Sequence, residues 1–146
     1  MVKTEKEIIA DGELATSFRI KMVYSDGREH AISSVKYKYD NTVSYIVYSP
    51  KNGEVLSYFN EAIRLIEDNY KIQLFPVYLD ENDISVCKFK LGGIELELYC
   101  NYETNAISLS NINGDISQKF SDDLVVYLTH NLLQFASRKE TRGSGK

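Results

Sequence analysis

The segment from Ile84 to Asn101, ISVCKFKLGGIELELYCN, constrains the fold more than any other stretch because it specifies a β-hairpin together with its register. Closing it with a two-residue Gly92-Gly93 loop sets Leu91 opposite Ile94, Phe89 opposite Leu96, Cys87 opposite Leu98 and Ser85 opposite Cys100, and that face is apolar. The alternate residues pair Lys90 with Glu95, Lys88 with Glu97 and Val86 with Tyr99, which gives the other face two cross-strand charge pairs. A slip of one residue would exchange the two faces, so one register serves both. Cys87 and Cys100 then become diagonal neighbours roughly 7 to 8 Å apart, beyond the reach of a disulfide. They are expected as reduced, buried thiols.

The same period-two pattern recurs upstream. Phe18, Ile20, Met22 and Tyr24 alternate with Arg19, Lys21 and Val23, and Asp26-Gly27 marks a tight turn into a strand from Arg28 to Tyr39. Read as a two-residue turn, it places Ala31, Ser33 and Val35 on the apolar face and His30 opposite Val23 on the other. A three-residue loop, Asp40 to Thr42, aligns Val43, Tyr45 and Val47 with Tyr39, Tyr37 and Val35. The period becomes helical in EVLSYFNEAIRLIEDNY, with a buried stripe of Leu56, Phe59, Ile63, Leu65, Ile66 and Tyr70. A strand from Lys71 to Leu79 follows, in which Pro76 marks a sheet edge or a bulge. Beyond the central hairpin, a short loop puts Ile107 opposite Cys100 and Leu109 opposite Leu98. A final helix is expected from a Ser121 cap to about Lys139, buried through Leu124, Val125, Leu128, Leu132, Phe135 and Ala136.

The expected class is therefore α+β: a predominantly antiparallel sheet of two β-meanders in the order β-β-β-α-β-β-β-β-α, with two helices packed on one side. Residues 1–140 form a single domain, in which 1–15 is either a flexible arm or an edge strand, and 141–146 reads as a disordered tail. The two meander-helix halves place their tight turns and helix starts at similar spacing, which suggests a pseudo-repeat, although their residues do not match.

The 146 residues suffice for one core without staples, and a net charge of −4 with interspersed signs describes an ordinary surface and no whole-protein attraction to nucleic acid. Apolar runs are short and the N-terminal MVKTEKEIIADGE is charged where a signal peptide needs its apolar segment, so a cytoplasmic protein without membrane contact is expected. Chemistry is hard to find. No phosphate-binding glycine loop, nucleophile elbow, CxxC, HxxxH or paired HxS/HxT motif occurs, so neither a metal nor a cofactor is expected. The cluster Asp80-Glu81-Asn82-Asp83 lacks the glycine and spacing of a calcium loop. Of the two histidines, His130 reads as a boundary residue of the last helix and His30 as an exposed strand residue, the better placed of the two for acid-base work.

Two surfaces stand out. Arg19, Lys21, Arg28, His30, Lys36 and Lys38 gather on the outward face of the first three strands, a basic face suited to an acidic protein partner or, as a second choice, to a nucleotide or nucleic acid. RNA is disfavoured because Tyr37, Tyr39 and Tyr45 are expected to point inward. Phe75, Val77, Val86 and Tyr99 form a secondary apolar patch on the second meander, unless the N-terminal arm covers it. The function expected on these grounds is non-catalytic binding of another macromolecule, as in a small inhibitor of the toxin-immunity or phage anti-defence type. A small-ligand binder using the basic face and a small enzyme centred on His30 are the alternatives.

Overall fold

The computed structural model describes residues 2–51, 54–79 and 84–144. In chain order they form β1 (Val2–Asp11), β2 (Ala15–Tyr24), β3 (Glu29–Tyr37), β4 (Val43–Tyr48), α1 (Val55–Tyr70), β5 (Val77–Leu79), β6 (Ile84–Leu91), β7 (Ile94–Asn101), β8 (Ala106–Asn111) and α2 (Gly114–Ser144). The strands make one eight-stranded antiparallel sheet in the order β1-β2-β3-β4-β8-β7-β6-β5. The class and element order are those expected, and the N-terminal segment takes the edge-strand alternative. The order is palindromic. Each half is a four-stranded meander followed by a helix, and the halves meet where β4 pairs with β8.

The β6–β7 hairpin has the register its sequence dictates at every position from Ile84↔Asn101 to Leu91↔Ile94, and β8 continues it through Leu98↔Leu109 and Cys100↔Ile107. Gly92 and Gly93 take φ of 57° and 82°, the left-handed values that a two-residue hairpin turn requires. Cys87 and Cys100 are buried and unbridged.

The β2–β3 hairpin differs from expectation by one residue. Its loop holds three residues, Ser25 to Gly27: the Gly27 N–H donates to the Tyr24 carbonyl at 3.0 Å and the Tyr24 N–H to the Arg28 carbonyl at 2.8 Å. Gly27, at φ 91°, absorbs the extra residue in the left-handed region. Met22 therefore faces His30, Ile20 faces Ile32 and Phe18 faces Ser34. The shift exchanges the faces of β3: Ile32 is buried, Ala31 and Ser33 are exposed, and His30 and Lys36 move to the helix side. The next loop also departs from expectation, pairing Lys36 with Val43 and Ser34 with Tyr45, with Asn41 left-handed at φ 62°. Val43, Tyr45 and Val47 are buried as anticipated, whereas Tyr39 is exposed and packs its ring against Tyr37.

Both helices cover the same sheet face. The row Phe18–Ser34–Tyr45–Leu109–Leu98–Cys87 crosses six strands and is buried beneath them. The first helix meets β7 and β8, and the second meets β4 and β8. Burial of Phe59, Ala62, Ile63 and Ile66 on one and Leu124, Val125, Leu128 and Leu132 on the other joins them in a single core. The second helix begins earlier than expected. It starts at Gly114 and breaks its helical geometry at Ser117 (φ −131°, ψ 19°). Ser121 is thus an interior residue and not a cap. The Asn111 carboxamide fills the break, donating to Ser117 Oγ at 2.9 Å and Ser121 Oγ at 3.0 Å. Helical backbone continues to Ser144, into the stretch read as a tail.

Candidate functional site

The six residues of the expected basic face do not share a surface. Arg19 and Lys21 remain on the helix-free face of β2, but β1 lies beside them with acids in register: Glu7 meets Arg19 at 3.1 Å, and Lys21 lies 3.8 Å from both Glu5 and Glu29. Lys36, on the opposite face, reaches Asp115 of α2 at 2.7 Å, and Lys38 reaches Asp11 at 2.7 Å. Arg28 folds onto Asp26 within its own turn at 2.7 Å. His30 lies on the helix side. The one-residue shift in the first hairpin scatters the group, and the edge strand neutralises what is left. An isolated charge alternation on β2 could not reveal that β1 supplies the opposite alternation.

The secondary patch has the opposite fate. Val77 pairs with Val86, Val86 with Tyr99, Tyr99 with Ser108 and Ser108 with Ile46, so one cross-strand row runs over β5, β6, β7, β8 and β4. This row is on the face that neither helix covers. Ile46 is 49% exposed, Val77 53% and Phe75, just ahead of β5, 73%. The N-terminal strand does not shield it, because β1 is at the far edge of the sheet. Around Ile46 the surface dips into a shallow depression of about 210 Å³, floored by Ser33, Val35, Ser44 and Ser108. The Ser44 and Ser110 hydroxyls bond to each other at 2.9 Å across the β4–β8 seam, which leaves this centre small and flat. Sequence periodicity identified the four patch residues but not Ile46, whose place beside them depends on how the two halves join.

On the helix side, at the β2–β3 turn, a cleft of about 370 Å³ brings His30 and His130 together with Tyr24, Arg28, Leu133 and Gln134. Tyr24 stacks on His130 with ring centroids 5.6 Å apart, and its hydroxyl is 2.9 Å from His130 Nδ1. The Arg28 guanidinium sits over the Tyr24 ring at 5.1 Å. Burial holds the His30 imidazole below its ordinary value, so this ring is neutral at pH 7, and burial raises the Tyr24 phenol. Two histidines 100 positions apart in the sequence thus line one cleft, a proximity hidden by the face exchange of β3.

Among the described residues no cluster of three or more His, Cys, Asp or Glu side chains could hold a metal ion, and no helix is long and apolar enough to cross a membrane. The Asp80–Asp83 acids lie outside the described residues. No protein-family model, no curated protein and no solved structure matches the chain.

Proposed function

We propose that this is a protein-binding module that docks a macromolecular partner on the helix-free face of its sheet, with Val77, Val86, Tyr99 and Ile46 as the centre of the contact. The observation that carries this reading is the uncovered cross-strand row over five hydrogen-bonded strands, apolar at Val77, Val86, Tyr99 and Ile46 and interrupted by Ser108 on β8. An antiparallel sheet with one solvated face ordinarily alternates polar residues outward, and a contiguous apolar patch on such a face marks an interaction site. The rim is polar on both flanks: Lys88 and Lys90 with their partners Glu97 and Glu95 on one, Arg19 and Lys21 with theirs on the other. That arrangement of apolar centre and charged margin suits a preformed interface. A rigid sheet needs no ordering on binding, which suits an inhibitor that acts by occluding its target, as an immunity or anti-defence protein does.

The test is retention of a partner captured from the native host and identified by mass spectrometry. Ile46→Asp with Val77→Asp puts charge into the centre at two half-exposed positions and should weaken binding by about 2 kcal/mol or more, with the circular dichroism of the fold unchanged. Arg19→Glu with Lys21→Glu should alter mainly the association rate and its salt dependence. Full binding by the aspartate pair, with loss confined to the reversed cations, would overturn the placement.

A further inference from the structure

The two edges of the sheet are built differently. At one end β5 is cut to three residues and follows Pro76, which cannot donate to a ladder, so that edge is blunted against further pairing. At the other end β1 runs for ten residues, and among the described residues no strand lies beyond it. The direction of its backbone groups follows from the neighbouring hairpin. The Tyr24 N–H donates to the Arg28 carbonyl, so the even-numbered residues of β2 bond to β3 and the odd-numbered ones to β1. Glu5 and Glu7, opposite Lys21 and Arg19, therefore use their backbone groups on β2, whereas Val2, Thr4, Lys6 and Ile8 point theirs outward, away from the sheet. The register shift between Ile8 and Ala10 ends the regular edge at Ile8. The open segment is thus Val2 to Ile8, centred on Glu5, and it finishes on an isoleucine that is 64% exposed.

We infer that β1 pairs antiparallel with β1 of a second copy of this chain, about a two-fold axis through Glu5, and so joins two sheets into one. An axis that relates antiparallel neighbours stands normal to the sheet, so the helices of both copies stay on one side and residues of the same face meet. The register centred on Glu5 uses the whole open segment. It sets Val2 opposite the partner's Ile8, Lys3 opposite the partner's Glu7 and Thr4 opposite the partner's Lys6, each contact occurring twice. An axis through Thr4 would shorten the pairing and set Val2 against lysine, and one through Lys6 would set lysine against lysine and Glu5 against glutamate. The Glu5 pair on the axis is the one like-charge contact, and each of these carboxylates has Lys21 at 3.8 Å and the partner's Lys3 on the diagonal. Charges on an edge ordinarily deter pairing, but the order of signs in this strand complements itself about Glu5. Because the short β5 edge offers β1 no counterpart, association closes at two copies and does not propagate.

The experiment combines sedimentation velocity of the full chain at rising concentration with single cysteines on the edge. A contact of this kind is at the low end of interface sizes, so a reversible dimer with a roughly micromolar dissociation constant is expected. On the axis the two residues at position 5 form a non-hydrogen-bonded pair with Cα atoms about 4.5 Å apart, within disulfide reach. Glu5→Cys should therefore cross-link to its own copy under mild oxidation. Thr4→Cys and Lys6→Cys, each diagonal to its own copy at roughly 7 to 8 Å, should not, and the native Cys87 and Cys100 are buried. Lys3→Glu and Glu7→Lys each oppose like charges twice per dimer and should raise the dissociation constant at least about tenfold. An equimolar mixture of these two variants restores both opposite-charge pairs and should dimerise more tightly than either alone. Ile46→Asp with Val77→Asp, on the docking face, should leave the dimer intact. A chain that stays monomeric up to millimolar concentration, cross-linking at position 4 or 6 in place of 5, a mixture no tighter than its components, or a dimer lost with the Ile46 and Val77 changes would each overturn the assignment.

Discussion

Tyr45 links three elements through its hydroxyl. The ring is 1% exposed, and the oxygen is 2.7 Å from Ser121 Oγ and 2.6 Å from Asp122 Oδ1, while the second oxygen of Asp122 binds Lys6 at 2.7 Å. A chain of polar contacts thus runs from β4 through α2 to the edge strand, and Asn111 joins it through Ser121. Tyr45→Phe keeps the packing and removes one member, which leaves Asp122 and Ser121 short of a partner. Urea unfolding should show a loss of about 1–3 kcal/mol. The phenol also carries a pH signature. Burial, reinforced by the bond to Asp122, raises its folded-state value above the ordinary one near 10. Its contribution is therefore complete below pH 10 and declines as the pH climbs toward the folded value. The variant should lose less stability than the parent between pH 10 and 11. An identical decline in both would assign the effect to other tyrosines, such as Tyr99, which burial raises to about 12. None of this network was legible in the sequence, where Ser121 reads as a helix cap and nothing connects Tyr45 to a residue 76 positions away.

The two tight hairpins show what makes an element readable. In β6–β7 both faces carry strong and different chemistry, apolar on one and paired charges on the other, so residues alone fix the register and the turn only has to agree. In β2–β3 the first strand is unambiguous, but its partner offers Ala31, Ser33 and Val35 on one face and His30, Ile32 and Ser34 on the other, which are nearly equivalent in polarity. The turn then decides. Asp26-Gly27 fits a two-residue loop and a three-residue loop equally well, because glycine can serve as the second turn residue or as the left-handed bulge. The misplacement of His30 and Lys36 descends from that choice. Glycine requirements also differ within the β6–β7 turn. Gly92→Asn places a residue that tolerates left-handed geometry at φ 57° and should stay within about 0.5 kcal/mol of the parent. Gly93→Ala, at φ 82°, should lose about 1–2 kcal/mol. Equal urea midpoints for the two variants would show that the turn relaxes into another type.

At the level of the molecule the halves resemble each other in order but do not stand apart. The first helix, which ends the first half, spends its buried stripe on β7 and β8 of the second, and Tyr24 of the first half packs on His130 of the last helix. A fragment ending at Tyr70 would expose that stripe and the inner edge of β4. It should show no cooperative urea transition alone and regain one when mixed with the remaining chain; a sharp transition in the isolated fragment would establish the half as a self-sufficient unit. The meander order and both helices were legible because each is written in local periodicity. The joining of β4 to β8, and with it the place of Ile46 in line with the patch, was not, because the partners carry no complementary pattern beyond Tyr45 with Leu109. That seam also sets the tempo of folding. Ser44 and Ser110, bonded at its centre, are separated by 66 residues, so the sheet closes only after a long intervening loop has been brought together. Hairpins form within microseconds, but a domain whose central pairing is this distant belongs with the slower, millisecond-to-second folders. During synthesis the first meander must wait, one edge unpaired, until β8 has left the ribosome.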